Sequence, residues 1–436
     1  MTGETVRARD HGTQEQRAGA DAPAETVGAL GGGAPEQPAG VDAPETVHAI
    51  DRHAQVQPAG ANAPGETVRA LDHGTQERHV GADTPDGAGG ITGEIVRVLA
   101  RECGLELAGV AAAEPVADAA RYRQWVAAGY AGEMRYLTDR RAAVREDPRS
   151  LLRSARSIIC AGKLYQTPWP LSTQFDDEAR AWISRYAWGD DYHDTLRRGL
   201  ERLAARLGEH AGEFEYKICV DTAPLLERSY ARLAGLGWIG RNTCLINQQS
   251  GSWFFLGEIL VSLDIAPDGP PPDRCGTCRR CIDACPTAAI VPGVAGYTVD
   301  SRLCISYFTI EQRSSIPDEE RGGMGANVFG CDICQDVCPW NRRAPLTPDA
   351  AFAPRHFAPP LENLAGLTEQ EFRTMFRGTP VTRARYAGFL RNVAIAMGNR
   401  ARPEFRAPLE KLAASEDRVV AEHARWALGR VAQRSC

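Results

Sequence analysis

An α+β multidomain protein is the fold class that the 436-residue sequence predicts, and three observations carry it. Apolar runs of strand length alternate with amphipathic stretches between residues 156 and 262, which implies a sheet layered with helices. Eight of the 13 cysteines crowd between Cys275 and Cys338. Beyond Pro345 the chain is helical in pattern and rich in arginine. The expected divisions are a tail over residues 1–90, an α/β domain over 91–266, a cysteine-rich domain over 267–345 and a helical unit over 346–436.

Residues 1–90 contain no Phe, Trp, Tyr, Cys or Lys. Glu-Thr-Val recurs at Glu4, Glu25, Glu45 and Glu66, a period of roughly twenty residues that can mark a solenoid. Each unit offers too few large apolar groups to offset the entropy of ordering it, so a disordered tail is expected. Its five histidines read as passengers of the repeat rather than as metal ligands. Met1-Thr-Gly-Glu4-Thr-Val-Arg resembles Ile91-Thr-Gly-Glu94-Ile-Val-Arg, where order is expected to begin. The tail therefore reads as a reduplication of that segment, or as a stretch upstream of a start near Thr92.

Thr92 is placed to cap a helix with Ile95, Val98 and Leu99 on one face. Tyr122–Gly129 is helical in pattern, and Arg156–Ala161 reads as a buried strand. Leu196, Leu200, Leu203 and Leu207 form one stripe of a helix; Tyr216–Val220 and Trp253–Ser262 read as two further strands. Gly235-x-Gly237-x-x-Gly240 fits a dinucleotide fingerprint, but it follows the helical stretch Leu225–Ala234 rather than a strand. Those glycines are assigned to a turn. Asp221 ends an apolar strand, and two readings stay open for it. It either caps the next helix, with Pro224 in the first turn, or presents an acid to a site. Backed by Ile218 and Val220 in a closed pocket, its carboxyl would have a raised pKa and act as a general acid. The run Asp268-Gly269-Pro270-Pro271-Pro272-Asp273 marks a domain boundary.

The cysteines read Cys275-x2-Cys278-x2-Cys281-x3-Cys285-Pro286 and then Cys331-x2-Cys334-x3-Cys338-Pro339. This is the bacterial ferredoxin spacing, in which three close thiolates hold one [4Fe–4S] cube and the fourth, before proline, crosses to its neighbour. Aligned on the first run, the second lacks a cysteine at Val328, and Cys304 lies alone between the two. One cube is therefore assigned Cys275, Cys278, Cys281 and Cys338, the other Cys285, Cys304, Cys331 and Cys334. Paired zinc sites need neither the third cysteine three positions on nor the proline. Cys103, Cys160, Cys219, Cys244 and Cys436 stand singly and are mostly expected to be inert.

In the last unit, Phe389, Leu390, Val393 and Met397 share a face, which suggests one or two paired-helix units of HEAT type. Arg373, Arg377, Arg383, Arg385, Arg391, Arg400, Arg402 and Arg406 form either a solvated face or a patch for RNA phosphates. A net charge of −6 argues against a uniformly basic nucleic-acid binder. No apolar run reaches the length of a membrane span and no signal segment opens the chain, so a cytoplasmic protein without membrane attachment is expected.

Taken together, Asp221-Thr-Ala-Pro-Leu-Leu-Glu-Arg228, Ala234–Gly240, Gly251–Glu258, the cysteine runs closing on Trp340-Asn341, and Phe389–Asn399 resemble the epoxyqueuosine reductases over residues 92–436. The resemblance implies a nitroreductase-like cobalamin-binding domain, a ferredoxin-like domain with two [4Fe–4S] clusters and a HEAT-like helical unit that helps hold tRNA. It implies reduction of epoxyqueuosine to queuosine at the tRNA wobble base, by cob(I)alamin fed through the clusters from a low-potential one-electron donor protein. Asp221 matches the family's proton donor; Arg145, Ser184, Tyr192, His193, Asp221, Arg228, Leu245, Trp253 and Leu256 are the expected cofactor-binding residues. Asp191-x-His193 matches the start of a motif whose histidine binds cobalt from below, but Leu196 replaces its glycine, so His193 is expected to hydrogen-bond in the pocket or to be structural. A monomer is expected. The rival reading is a reductive dehalogenase-like enzyme using the same cofactors on a small molecule. Deleting residues 1–90 is expected to leave activity intact, which an assay of the shortened chain beside the full one checks.

Overall fold

The computed structural model describes residues 78–80 and 90–436, apart from 295, 435 and 436. Thr92 Oγ1 accepts the Ile95 N–H at 3.3 Å and caps the helix Gly93–Glu102. The helix buries Val96, Leu99 and Ala100, while Val98 points outward. The three expected strands appear as Ser157–Leu164, Phe214–Cys219 and Phe254–Val261, at the middle of a five-stranded sheet. Every pairing in this sheet is antiparallel.

One outer strand, Leu107–Ala112, went unforeseen because its alanines and Gly109 carry little strand propensity. Gly109 is required there, since a Cβ would stand 1.9 Å from the Ala234 carbonyl oxygen. On the other edge, Arg78–Val80 pairs with Phe214–Tyr216. Disorder through residue 90 is thus corrected at Arg78–Val80. An unpaired sheet edge offers donors and acceptors that any extended segment can satisfy. The rest of the tail (1–77 and 81–89) lies outside the described residues, and so does its repeat.

Helix Tyr192–Ala211 covers one face of the sheet with the fully buried Leu196, Leu200, Leu203 and Leu207. Each buried leucine contributes roughly 2 kcal/mol. Helix Glu227–Leu233 covers the other face with Tyr230 and Ala231. The glycines after it turn the chain, Gly235 at φ +80°, into the hairpin Trp238–Ile239 with Leu245–Ile246. At the expected boundary, Asp268 is tied back to the sheet, its Oδ2 accepting the Val110 N–H at 2.9 Å.

In the cysteine-rich segment the short helices Arg280–Asp283 and Ile333–Asp336 lie against each other. The C-terminal helices Tyr386–Arg400, Arg406–Ala413 and Arg418–Arg434 pack in one core with Trp182, Ile183, Trp188, Val328 and Phe329. Residues expected in three units therefore share one core. Arg391 pins the arrangement. It is fully buried and donates to the Gln312 and Ser314 carbonyls at 2.9 Å each. Burial, and then neighbouring Arg313, pull its guanidinium down to about 10. Arg391→Ala leaves those carbonyls unpaired and is expected to cost about 3 kcal/mol, read from the urea midpoint.

Candidate active site

The strand Phe214–Cys219 delivers Asp221 into a recess on a backbone turned left-handed, with φ +50°. The residue does not cap the following helix, which starts from Leu226 without a side-chain cap. That leaves the site reading. Asp221 Oδ2 lies 3.4 Å from His193 Nε2 and 3.4 Å from Arg383 Nη1, and its side chain keeps 41% of its surface open. His193 Nδ1 lies 2.7 Å from Asp191 Oδ1, and Asp191 also caps helix Tyr192–Ala211 by accepting the His193 N–H. The helix start thus fixes both the ring and its partner.

This arrangement reverses one expectation. Burial alone would raise the Asp221 carboxyl, but the His193 contact and the charge of Arg383 outweigh it and hold the group below its ordinary value. Burial opposes the charge on His193 as well, yet Asp191 and Asp221 on either side push it up to about 9. At neutral pH the proton sits on His193, between two carboxylates. Arg383 is shared with Glu311 at 2.7 Å, and Tyr136 beside them is pushed up to about 12 by burial and then by Glu311.

The remaining expected residues divide by exposure. His193 and Leu256 are half-buried and Arg228 is exposed, its Nη1 donating to the Thr243 carbonyl. Tyr192 is stacked between Phe255 and His193, with ring centroids 4.4 and 4.2 Å away. Arg145 is buried, its Nη1 3.4 Å from the Tyr136 carbonyl oxygen and its guanidinium over Tyr122. Ser184, Leu245 and Trp253 are buried too, Trp253 completely, so they shape the wall from behind and offer no surface to a ligand. Sequence reading missed Arg383, Glu311 and Tyr136, which reach the site from distant segments. Nothing local marks them.

The eight cluster cysteines fall into two spatial sets. Cys281 and Cys338 each lie within electrostatic reach of Cys275, and Cys281 of Cys278. Cys331 stands near Cys285 and Cys304, and Cys334 near Cys331 and Cys304. Among the described residues no three His, Cys, Asp or Glu side chains converge tightly enough for a single ion. Cys244, expected to be inert, has its thiol against Cys334. Asp332, between two of these ligands, accepts from Trp182 Nε1 at 3.0 Å, Ser184 Oγ, and the Arg185 N–H at 2.8 Å.

The arginine run does not gather into one patch. Arg391 is buried, Arg383 serves the recess, and Arg373 and Arg402 pair with Glu369 and Glu404. Arg377, Arg385 and Arg406 remain exposed.

Comparison with known proteins places the arrangement. The family described as Epoxyqueuosine reductase QueG, DUF1730 matches residues 145–222, and the 4Fe-4S double cluster binding domain matches 274–341. The epoxyqueuosine reductases of Xanthomonas campestris and Escherichia coli are 40% and 36% identical, each over 76% of this chain, covering 94% and 88% of their own lengths. An epoxyqueuosine reductase solved with an epoxyqueuosine-modified tRNA-Tyr stem loop superposes with a TM-score of 0.70 at 28% identity, over 78% of this chain and 89% of that one. A Bacillus subtilis enzyme, solved with its catalytic aspartate loop swung out of the active site, gives 0.69 at 27% identity over 78% and 90%. No described helix is long and apolar enough to cross a membrane. With relatives this similar along nearly their whole length, this chain belongs to the epoxyqueuosine reductase family of oxidoreductases.

Proposed function

We propose that the chain reduces epoxyqueuosine to queuosine at the wobble position of tRNA, using a corrinoid and two [4Fe–4S] clusters. The observation that carries this is the Asp191–His193–Asp221 array, which holds a proton beside the open face of Asp221. The fit to a corrinoid rests on the recess itself. His193 Nε2 is buried without a hydrogen bond of ordinary geometry, while Arg228 and Asp221 stay open beside it. His193, Arg228 and Leu256 would face the corrinoid, and Tyr192 would support it through His193. When bound, the corrinoid would supply a strong reductant and nucleophile, and the clusters single electrons at potentials that reach about −700 mV.

Converting an epoxide to an alkene takes in two electrons and two protons, breaks both C–O bonds and releases water. This chain's residues handle the protons. Asp221 faces the departing oxygen, and His193, charged at neutral pH, passes its proton through the ionised Asp221 carboxylate to that oxygen, solvent supplying the second proton by recharging His193. Asp191 fixes the ring so that Nε2 points at Asp221. Arg383 steadies the carboxylate between proton transfers. The base must leave the anticodon stack to reach the recess, as other modified bases do. The helices after residue 386 are assigned the HEAT-like part that holds the tRNA. Family membership favours this reading over a dehalogenase acting on a small molecule.

Three outcomes test the assignment. Asp221→Asn is expected to keep iron and cobalt loading and to lose about two orders of magnitude or more in turnover, read by nucleoside mass spectrometry of treated tRNA. His193, followed by ring-proton NMR in the apoprotein, is expected to titrate at about 9, staying charged below that and neutral above it. In Asp221→Asn the titration should move to lower pH, because one of its two anionic neighbours is gone. Cys304→Ser is expected to lower the iron content from about eight to about four atoms per chain, with one cluster signal left in the reduced EPR spectrum.

A further inference from the structure

The strand Phe254–Val261 carries an anomaly at its centre. Glu258 is fully buried, and neither carboxylate oxygen has a hydrogen-bond donor. Strand register sets Cys160 on one side of it and Cys219 on the other. Leu260, Phe254 and Cys160 share its face of the sheet, beneath helix Glu227–Leu233. From that helix the Glu227 carboxyl comes within hydrogen-bonding reach of Glu258. Tyr230 on the same helix has committed its hydroxyl to the Glu114 carbonyl at 2.8 Å. No lysine or arginine pairs with Glu258 among the described ion pairs. Arg228 bears on Glu227 only as a nearby charge.

Two carboxylates cannot hydrogen-bond to each other, so a proton must lie between them. An unpartnered anion at this depth would be very costly. On its other side Glu227 Oε1 accepts the backbone N–H of Asp221 at 2.6 Å. That N–H belongs to the residue held at φ +50°, a conformation that costs a non-glycine residue energy and needs an anchor.

We propose that Glu258 and Glu227 form a single protonated pair that acts as a latch, positioning the Asp221 loop over the recess. The inference rests on the reading of Asp221 as the group that passes the proton. Glu258 donates to Glu227, whose other oxygen stays turned toward the Asp221 N–H. Burial and then the Asp221 charge raise Glu227, and burial and then Glu227 raise Glu258, so the pair keeps its proton well above the ordinary carboxyl range. As pH rises further the proton leaves, two buried anions face each other, and the anchor on Asp221 is lost. Glu227 and Glu258 are positioning residues; neither touches the substrate.

The test combines infrared spectroscopy with kinetics on the full chain. The infrared difference between wild type and Glu258→Gln at neutral pH is expected to contain a protonated-carboxyl band that shifts in D2O. With loaded enzyme and epoxyqueuosine-containing tRNA, Glu258→Ala is expected to lower kcat at least tenfold with little change in KM. Glu258→Gln, whose amide still donates to Glu227, is expected to restore kcat and to weaken the alkaline loss of turnover. Absence of the band, or a folded Glu258→Ala with wild-type kcat, overturns the latch. The band found in a wild type that does not act on the tRNA supports the latch and sinks the assigned reaction instead. Near-UV circular dichroism separates misfolding from these outcomes.

Discussion

The cysteine-rich segment is joined to the sheet domain at a buried carboxylate. Asp332 stands between the ligands Cys331 and Cys334, and a carboxyl group at that depth requires donors. Trp182, Ser184 and the Arg185 backbone supply them. Gly330, at φ +69°, lets the two segments touch, since a Cβ there would lie 2.4 Å from Ser184 Cβ. A second joint repeats the logic. Asn341, just past Cys338, accepts the Ser252 N–H at 2.6 Å, and Gly251 leaves room that any side chain would fill. Cluster ligands and sheet are therefore positioned by the same few polar contacts. A cysteine segment that folded alone could not place anything relative to Asp221.

Two neighbouring sites in this frame hold protons in opposite ways. Around Asp221, His193 and Arg383 supply positive charge, so the carboxylate stays ionised and the imidazole takes the proton. Among the described residues no cation pairs with Glu258, and the pair must retain a proton to exist in the interior at all. One carboxyl is depressed and the others are raised within a stretch of strand and helix. Environments that push carboxyl groups apart are how a fold separates proton-transfer roles from positioning roles.

What could be read from the sequence followed from how local its cause was. Cluster ligation is written in spacings of two and three residues, and the assignment of Cys304 needed only a count. The leucine stripe of helix Tyr192–Ala211 and the three central strands are likewise local patterns. Asp221 was visible as a polar residue ending an apolar strand. Its charge state was not, because His193 and then Arg383, 162 residues away, reverse the effect of burial. The strand Leu107–Ala112 was hidden by small residues chosen for close approach to Ala234 rather than for propensity. Trp253 and Ser184, expected to face a ligand, are buried, because a family motif marks neighbourhood and not orientation.

The arginine run shows why composition misleads at a shared core. Eight arginines in a helical segment suggest one surface, but a surface requires side chains that leave the protein. Arg391 stays inside because it donates to the carbonyls of Gln312 and Ser314 in the cysteine-rich segment. Arg383 turns inward because Asp221 and Glu311 would otherwise face each other as like charges. Both are demanded by groups outside their own segment. The helical segment thus sends Arg383 to Asp221, while Arg377, Arg385 and Arg406 are exposed and Arg400 is half-buried.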